Sequence, residues 1–144
     1  MNRLFNTNYH HQVLDFALLL LRVGIGCFML THGLAKVSSA MTSPEIQFAD
    51  PIGIGMETSF FLAVFAEVVC AILLIFGFLT RFAVIPLMIT MAVALLVVHG
   101  ADVFQKKELA AVYLLVFTFI LFSGPGRYSI DRLISKKSDR RRTF

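Results

Sequence analysis

An all-α, four-helix integral membrane bundle with both termini cytoplasmic is the fold class this sequence predicts. Three observations predict it: an apolar excess, the confinement of charge to short segments, and four apolar runs, the fourth of them short. The 144 residues are 58% hydrophobic and only 15% charged, with a mean hydropathy of +0.80. Soluble domains carry about 45–50% apolar and about 25% charged residues. So little polar surface cannot cover a water-soluble sphere of this size, so the bilayer must do the covering.

The whole chain, 1–144, reads as one membrane domain with spans at about 15–37, 57–79, 82–99 and 109–122. The first run is long enough for the roughly 20 residues a span needs. It holds Arg22 and has no small-residue cleavage site after it, so it reads as a retained anchor and not a removed signal peptide. The two-residue break Thr80-Arg81 separates the second run from the third. Pro86 sits in the first turns of the third, where a missing N–H costs least. The fourth run is stopped by Gly124-Pro125-Gly126, which ends the helix and lets the chain turn along the surface. Beyond it, Tyr128, Ile130, Leu133 and Ile134 alternate with Arg127, Asp131 and Arg132, predicting an interfacial helix at about 128–135 before a basic tail at 136–144. The loop Ser38–Met56, with Pro44, Pro51, Gly53 and Gly55, forms either a small lid or a simple connection.

Orientation follows from charge. With an even number of spans, Arg3, Arg81 and seven basic residues from Arg127 onward face one side, against Lys36, Lys106 and Lys107 on the other. The positive-inside rule then places both termini in the cytoplasm. The net charge of +4 is concentrated in the tail Lys136–Arg142, which reads as a topology signal or an anionic-lipid contact and not as a nucleic-acid site.

The charges inside the apolar runs are the informative ones. Arg22 lies about seven residues, roughly 11 Å, from the cytoplasmic end of its span, and Glu67 about twelve residues, roughly 18 Å, from that of its own. An isolated charge at mid-membrane costs about 2.5–3.5 kcal/mol on the insertion scale, so such groups face the bundle and pair. A buried ion pair, Arg22 with Glu67, is therefore expected; it either fixes helix register or serves chemistry. From Arg22, the positions Gly26, Met29, Gly33 and Lys36 fall within about 40° of one another on a helix, a stripe whose glycines let a second helix approach.

Near the outer end, polar residues from three runs converge: His32 and Lys36, His99 with Asp102, and Glu108 with Tyr113 a turn and a half deeper. His32, Lys36, His99, Glu108 and Tyr113 form the candidate ligand pocket, suited to a quinone headgroup, a proton relay or a metal; singly, each histidine reads as a solvated interfacial residue. Cys27 and Cys70 sit at depths of roughly 18 and 14 Å and read as small packing residues, or as a redox pair if they meet. No CxxC or His/Cys metal spacing is present. The sequence holds no nucleophile–base motif, phosphate loop, haem motif or Rossmann signature, so hard chemistry would sit on a cofactor or partner. No cofactor is evident, quinone being the one candidate, and no catalytic residue can be named.

Several of these residues carry a family likeness in combination. They are Arg22 followed by His32-Gly33-Leu34-Ala35-Lys36, Glu67 leading into Phe76-Gly77-Phe78-Leu79-Thr80-Arg81, His99, and Gly124-Pro125-Gly126-Arg127-Tyr128-Ser129-Ile130-Asp131-Arg132. With them the chain resembles, over essentially its whole length, the DoxX family of small bacterial membrane proteins. The resemblance implies a four-helix bundle in the bacterial cytoplasmic (inner) membrane. It also implies association with oxidative, thiol or quinone stress, since relatives include a subunit of a thiosulfate:quinone oxidoreductase; a distant likeness to eukaryotic cargo-receptor membrane proteins points away from catalysis. The expected function is a redox- or quinone-associated accessory subunit whose partners are the lipid bilayer and a soluble redox protein or further copies of itself. The alternatives are a non-catalytic scaffold and a small-molecule or proton transporter, the last disfavoured by the apolar stretch Ala71–Phe76 beneath Glu67.

Overall fold

The computed structural model describes residues 10–42 and 48–142, with side chains described as far as residue 137. Arg3, Pro44 and the side chains of Arg140–Arg142 lie outside that range. The described residues form helices only: α1 (His11–Thr42), α2 (Met56–Phe76), α3 (Thr80–Val98), α4 (Phe104–Ser123) and α5 (Ile130–Arg142). Helices α1, α2 and α3 are long and apolar enough to cross a membrane. α4 has 20 residues and opens on Lys106-Lys107-Glu108.

Packing runs inward from small residues. The face α1 buries is Arg22, Gly26, Met29 and Gly33. A Cβ on Gly33 would stand 2.9 Å from the Glu67 carbonyl, and one on Gly26 would stand 2.7 Å from Ile75. Only glycine lets α1 lie this close to α2, the usual use of small residues between helices in membranes. Met29, Ala71, Leu74, Leu87 and Phe117 fill the shared core. Outward, Phe28, Phe61, Phe82, Leu96, Leu115 and Phe119 are all exposed. Apolar surface of that extent would not stay in water, and the molecule is an integral membrane protein. Cys27 sits one residue round from the contact face and is exposed, whereas Cys70 is buried; both are free thiols.

α2 stops at Gly77 (φ 68°), where the Phe78 N–H bonds the Leu73 carbonyl at 3.0 Å. That left-handed stop is why the break lies at 77–79 and Thr80 opens α3, earlier than the apolar run suggests. The end of the bundle holding this turn, the start of α1 and the end of α4 is here called proximal. α5 is docked there: the Asp131 carboxylate accepts the N–H groups of Leu79 (2.8 Å) and Thr80 (2.9 Å) and the Thr80 hydroxyl (2.8 Å). The Asp131 N–H returns a bond to the Gly77 carbonyl at 3.0 Å. Asp131 thus caps the N-terminus of α3 from a helix 51 residues away.

Candidate functional site

The opposite, distal end is open. A cavity of about 340 Å³ lies among the ends of α1 and α3, the starts of α2 and α4, and the segment 48–55. Its innermost charge is Glu67, 1% exposed, which pairs with Lys36. Lys36 in turn stands 5.7 Å from the centroid of the Phe48 ring, a cation–π distance. The second carboxylate oxygen of Glu67 has no hydrogen-bond partner among the described residues.

Two irregular stretches shape this end. α2 widens into a π-helix over Phe65–Cys70, carrying Glu67, and α3 does so over Ala94–Val98. Ala94 and Val98 line the same cavity as Glu67. Single-turn π segments redirect side chains and recur at functional sites. Nothing in residue spacing announces them.

The walls mix rings and polar tips. His32 meets Tyr113 edge-on, centroids 5.9 Å apart at 85°, and Tyr113 stacks on Phe117. At the mouth, His99 Nδ1 lies 2.9 Å from Asp102, whose other oxygen is 3.5 Å from Lys106. The hydrogen bond from His99, and then the Lys106 charge, hold the Asp102 carboxyl below its ordinary range. The segment 48–55 covers the cavity through Phe48, Pro51 and Ile54, and so does more than connect α1 to α2. It is braced by Asp50, which accepts the N–H groups of Ile54 (3.0 Å) and Gly55 (2.8 Å) and the Ser59 hydroxyl (2.9 Å). Sideways the cavity is unsealed, because Leu62, Ile89 and Val98 line it and are also about half exposed on the bundle surface.

The structure corrects two expectations. Arg22 does not pair with Glu67. It turns toward the proximal end and donates to the Tyr128 carbonyl at 2.7 Å, while Glu67 takes Lys36. Contacts give the physical reason. Glu67 is level with Gly33, and Arg22 is level with Gly77, where an added Cβ would fall 1.5 Å from Nη1. The ten residues from Glu67 to Gly77 rise about 15 Å, beyond an arginine's reach. Glu108 does not line the cavity; Lys106 does. Lys106 is seven residues from Tyr113, about 20° round the helix, whereas Glu108 is five residues away, about 140° round. That spacing was available in the sequence. His32, Lys36, His99 and Tyr113 do come together, and Glu67 joins them. Ser59, Thr90 and Phe48 also line the cavity, without a sequence motif to mark them. Among the described residues, no group of three His, Cys, Asp or Glu side chains is placed to hold a metal ion.

Comparison with known proteins agrees with this architecture. The DoxX family model matches residues 17–100, which include α1 through α3 almost entirely. An uncharacterized membrane protein of Mycobacterium tuberculosis is 32% identical over 135 residues, covering 78% of this chain and 82% of its own. Two uncharacterized proteins of Haemophilus influenzae are 31% and 28% identical, covering 85% and 83% of this chain and 93% and 84% of theirs. No solved structure matches the chain.

Proposed function

This chain belongs to the DoxX family, and we propose that its distal cavity binds a quinone or similar lipid-soluble ring compound, making it a redox-associated accessory subunit of a partner protein. The observation that carries this reading is the Lys36–Glu67 pair at the floor of a cavity open sideways between apolar helices. A volume of about 340 Å³ suits a substituted ring, since small-molecule sites span about 300–1,000 Å³ and combine apolar walls with a few placed polar groups. Leu62, Ile89 and Val98 give a ligand dissolved in the bilayer a direct way in. Lys36 offers the ring oxygen an ammonium N–H, and His32 and Tyr113 supply flat contact.

In this reading α4 is the fourth span and the proximal end is cytoplasmic. Arg81, Arg127, Arg132, Lys136 and Lys137 gather there, against Lys36, Lys106 and Lys107 at the distal end. The positive-inside rule then puts the cavity in the outer leaflet of a bacterial cytoplasmic membrane. A soluble redox partner, or further copies of the chain, would complete the unit.

Titration of the purified protein in lipid nanodiscs with a short-tailed benzoquinone tests the reading. Saturable binding, lost when Lys36 and Glu67 are replaced together, is expected; no binding by the unaltered protein would sink it. A second reading, a non-catalytic scaffold, draws on the proximal end, where Arg22, Gly77 and Asp131 all hold helices together. It expects no ligand response and retained function after the same double replacement. A transport path gains no support, because Leu74, Leu87 and Phe117 are fully buried in the core between the two ends.

A further inference from the structure

We propose that α5 is an interfacial arm that binds anionic phospholipids. Its apolar face lies among the acyl chains beside the proximal end, and its lysines meet the lipid phosphates. This role is independent of the distal cavity and holds whether or not a quinone binds there.

The first turn of α5 fixes its rotation. Ser129 is buried, and its hydroxyl oxygen accepts the Arg132 N–H at 3.2 Å, an N-cap at the helix start. Asp131 turns inward: its carboxylate takes the N–H groups of Leu79 and Thr80, and its own N–H meets the Gly77 carbonyl. After Asp131, packing on the bundle stops. Every residue from Arg132 to Lys137 is exposed, Leu133 at 68% and Ile134 at 52%. At about 100° per residue, Ile130, Leu133 and Ile134 share one face, centred about 110° round the helix from Asp131. Docking through Asp131 thus turns the apolar face off the bundle and leaves it bare.

Charge names the occupant. Residues 130–142 hold six Lys and Arg against Asp131 and Asp139, a formal +4 that equals the net charge of the whole chain. A second copy would set this charge against itself, whereas an anionic leaflet complements it. Lys137 continues the apolar stripe, seven residues on from Ile130, and Lys136 flanks it. A lysine so placed lays its methylenes along the acyl chains and holds its ammonium among the phosphates. The bilayer is also at hand, because Asp131 sits at the N-terminus of α3, where a membrane-spanning helix ends. Amphipathic helices with basic flanks bind such interfaces through buried apolar area together with attraction to anionic lipid.

The chain has no tryptophan, so Leu133→Trp installs a single reporter at an exposed position. Full-length variant is placed in nanodiscs of phosphatidylcholine alone or of phosphatidylcholine mixed with phosphatidylglycerol, each also made with brominated acyl chains. Blue-shifted emission and bromine quenching are expected in the mixture, the quenching about twofold or more above that in phosphatidylcholine alone. Added salt should lower it. Lys136→Gln with Lys137→Gln, in the same background, is expected to remove most of the difference. Ser135→Trp, about 150° round the helix from the apolar face, should emit as in water in both discs. Ile134→Trp reports the same face as Leu133→Trp and serves if the latter does not fold. Unshifted emission in the mixture overturns the proposal. A blue shift without bromine quenching also overturns it, since a second copy and not lipid then covers the face. Equal quenching in the two discs overturns the anionic preference, as does a difference that the double glutamine variant leaves unchanged.

Discussion

At the proximal end, most polar groups are turned on each other, although Arg22 keeps Nε and Nη1 buried without a partner among the described residues. Asp131 accepts three hydrogen bonds, and Arg22 reaches the Tyr128 carbonyl. The Ser129 hydroxyl donates to the Gly126 carbonyl, and Asp15 accepts the Arg127 N–H. At the distal end, polar groups surround a space of about 340 Å³, and Glu67 keeps an oxygen without a partner among the described residues. Both ends concentrate charge in an apolar chain, and the cavity lies beside the distal one. On the proposed function, that difference separates residues that hold the bundle from residues that would meet a ligand, although both kinds carry the family likeness.

That separation can be broken by substitution. Gly77→Ala is expected to be the most damaging change. It puts a side chain at φ 68° and 1.5 Å from Arg22 Nη1, combining about 1–2 kcal/mol of left-handed strain with about 1–3 kcal/mol of overpacking. Thermal unfolding followed by circular dichroism should show a large drop in Tm; an unchanged Tm would mean that Arg22 is not seated as described. Asp131→Ala removes the cap on α3 and is expected to cost about 0.5–2 kcal/mol. Protein that remains folded should bind the ligand with wild-type affinity, and a weakened affinity would blur the two ends.

Lys36→Met together with Glu67→Leu should do the reverse. Replacing a buried ion pair by apolar side chains of similar size is often neutral or stabilising, so Tm should hold while ligand affinity falls about tenfold or more. Loss of folding instead would place this pair with the structural residues. The smallest effect concerns the cover of the cavity. Hydrogen bonds from Gly55 foremost, then Ser59 and Ile54, hold the Asp50 carboxyl below its ordinary range. Its folded pKa is thus lower than its unfolded one of about 3.9, so the bracing is present above that value and fades as pH falls through the folded one. A small loss of Tm confined to pH below about 4, and absent in Asp50→Asn, is expected; a loss near pH 6 would point to another group.

The contrast also explains what could be read in advance. The α1 stripe Arg22–Gly26–Met29–Gly33 was legible because helical periodicity alone decides which residues share a face. The partner of Glu67 was not. Depth counted from assumed span ends carries an error of a turn at each helix, and two such errors hid the level of Gly33 and Lys36 beside Glu67. Asp131 capping Thr80 depends on a contact across 51 residues, which no local pattern encodes. The π stretches at Glu67 and Val98 leave no mark in hydrophobic spacing. His32, Lys36 and His99 were legible as a group because a polar residue near a helix end in an apolar chain is conspicuous whatever its partners, and Tyr113 joined them from a turn and a half deeper.

The central claim is that ligand binds at the distal end and nowhere else in the bundle. A photoreactive quinone, activated in nanodiscs and mapped by mass spectrometry, tests it directly. Label is expected on the segments around His32–Lys36, Thr90–His99 and Lys106–Tyr113, and label concentrated on Gly77–Arg81 or Gly124–Arg132 would contradict the account.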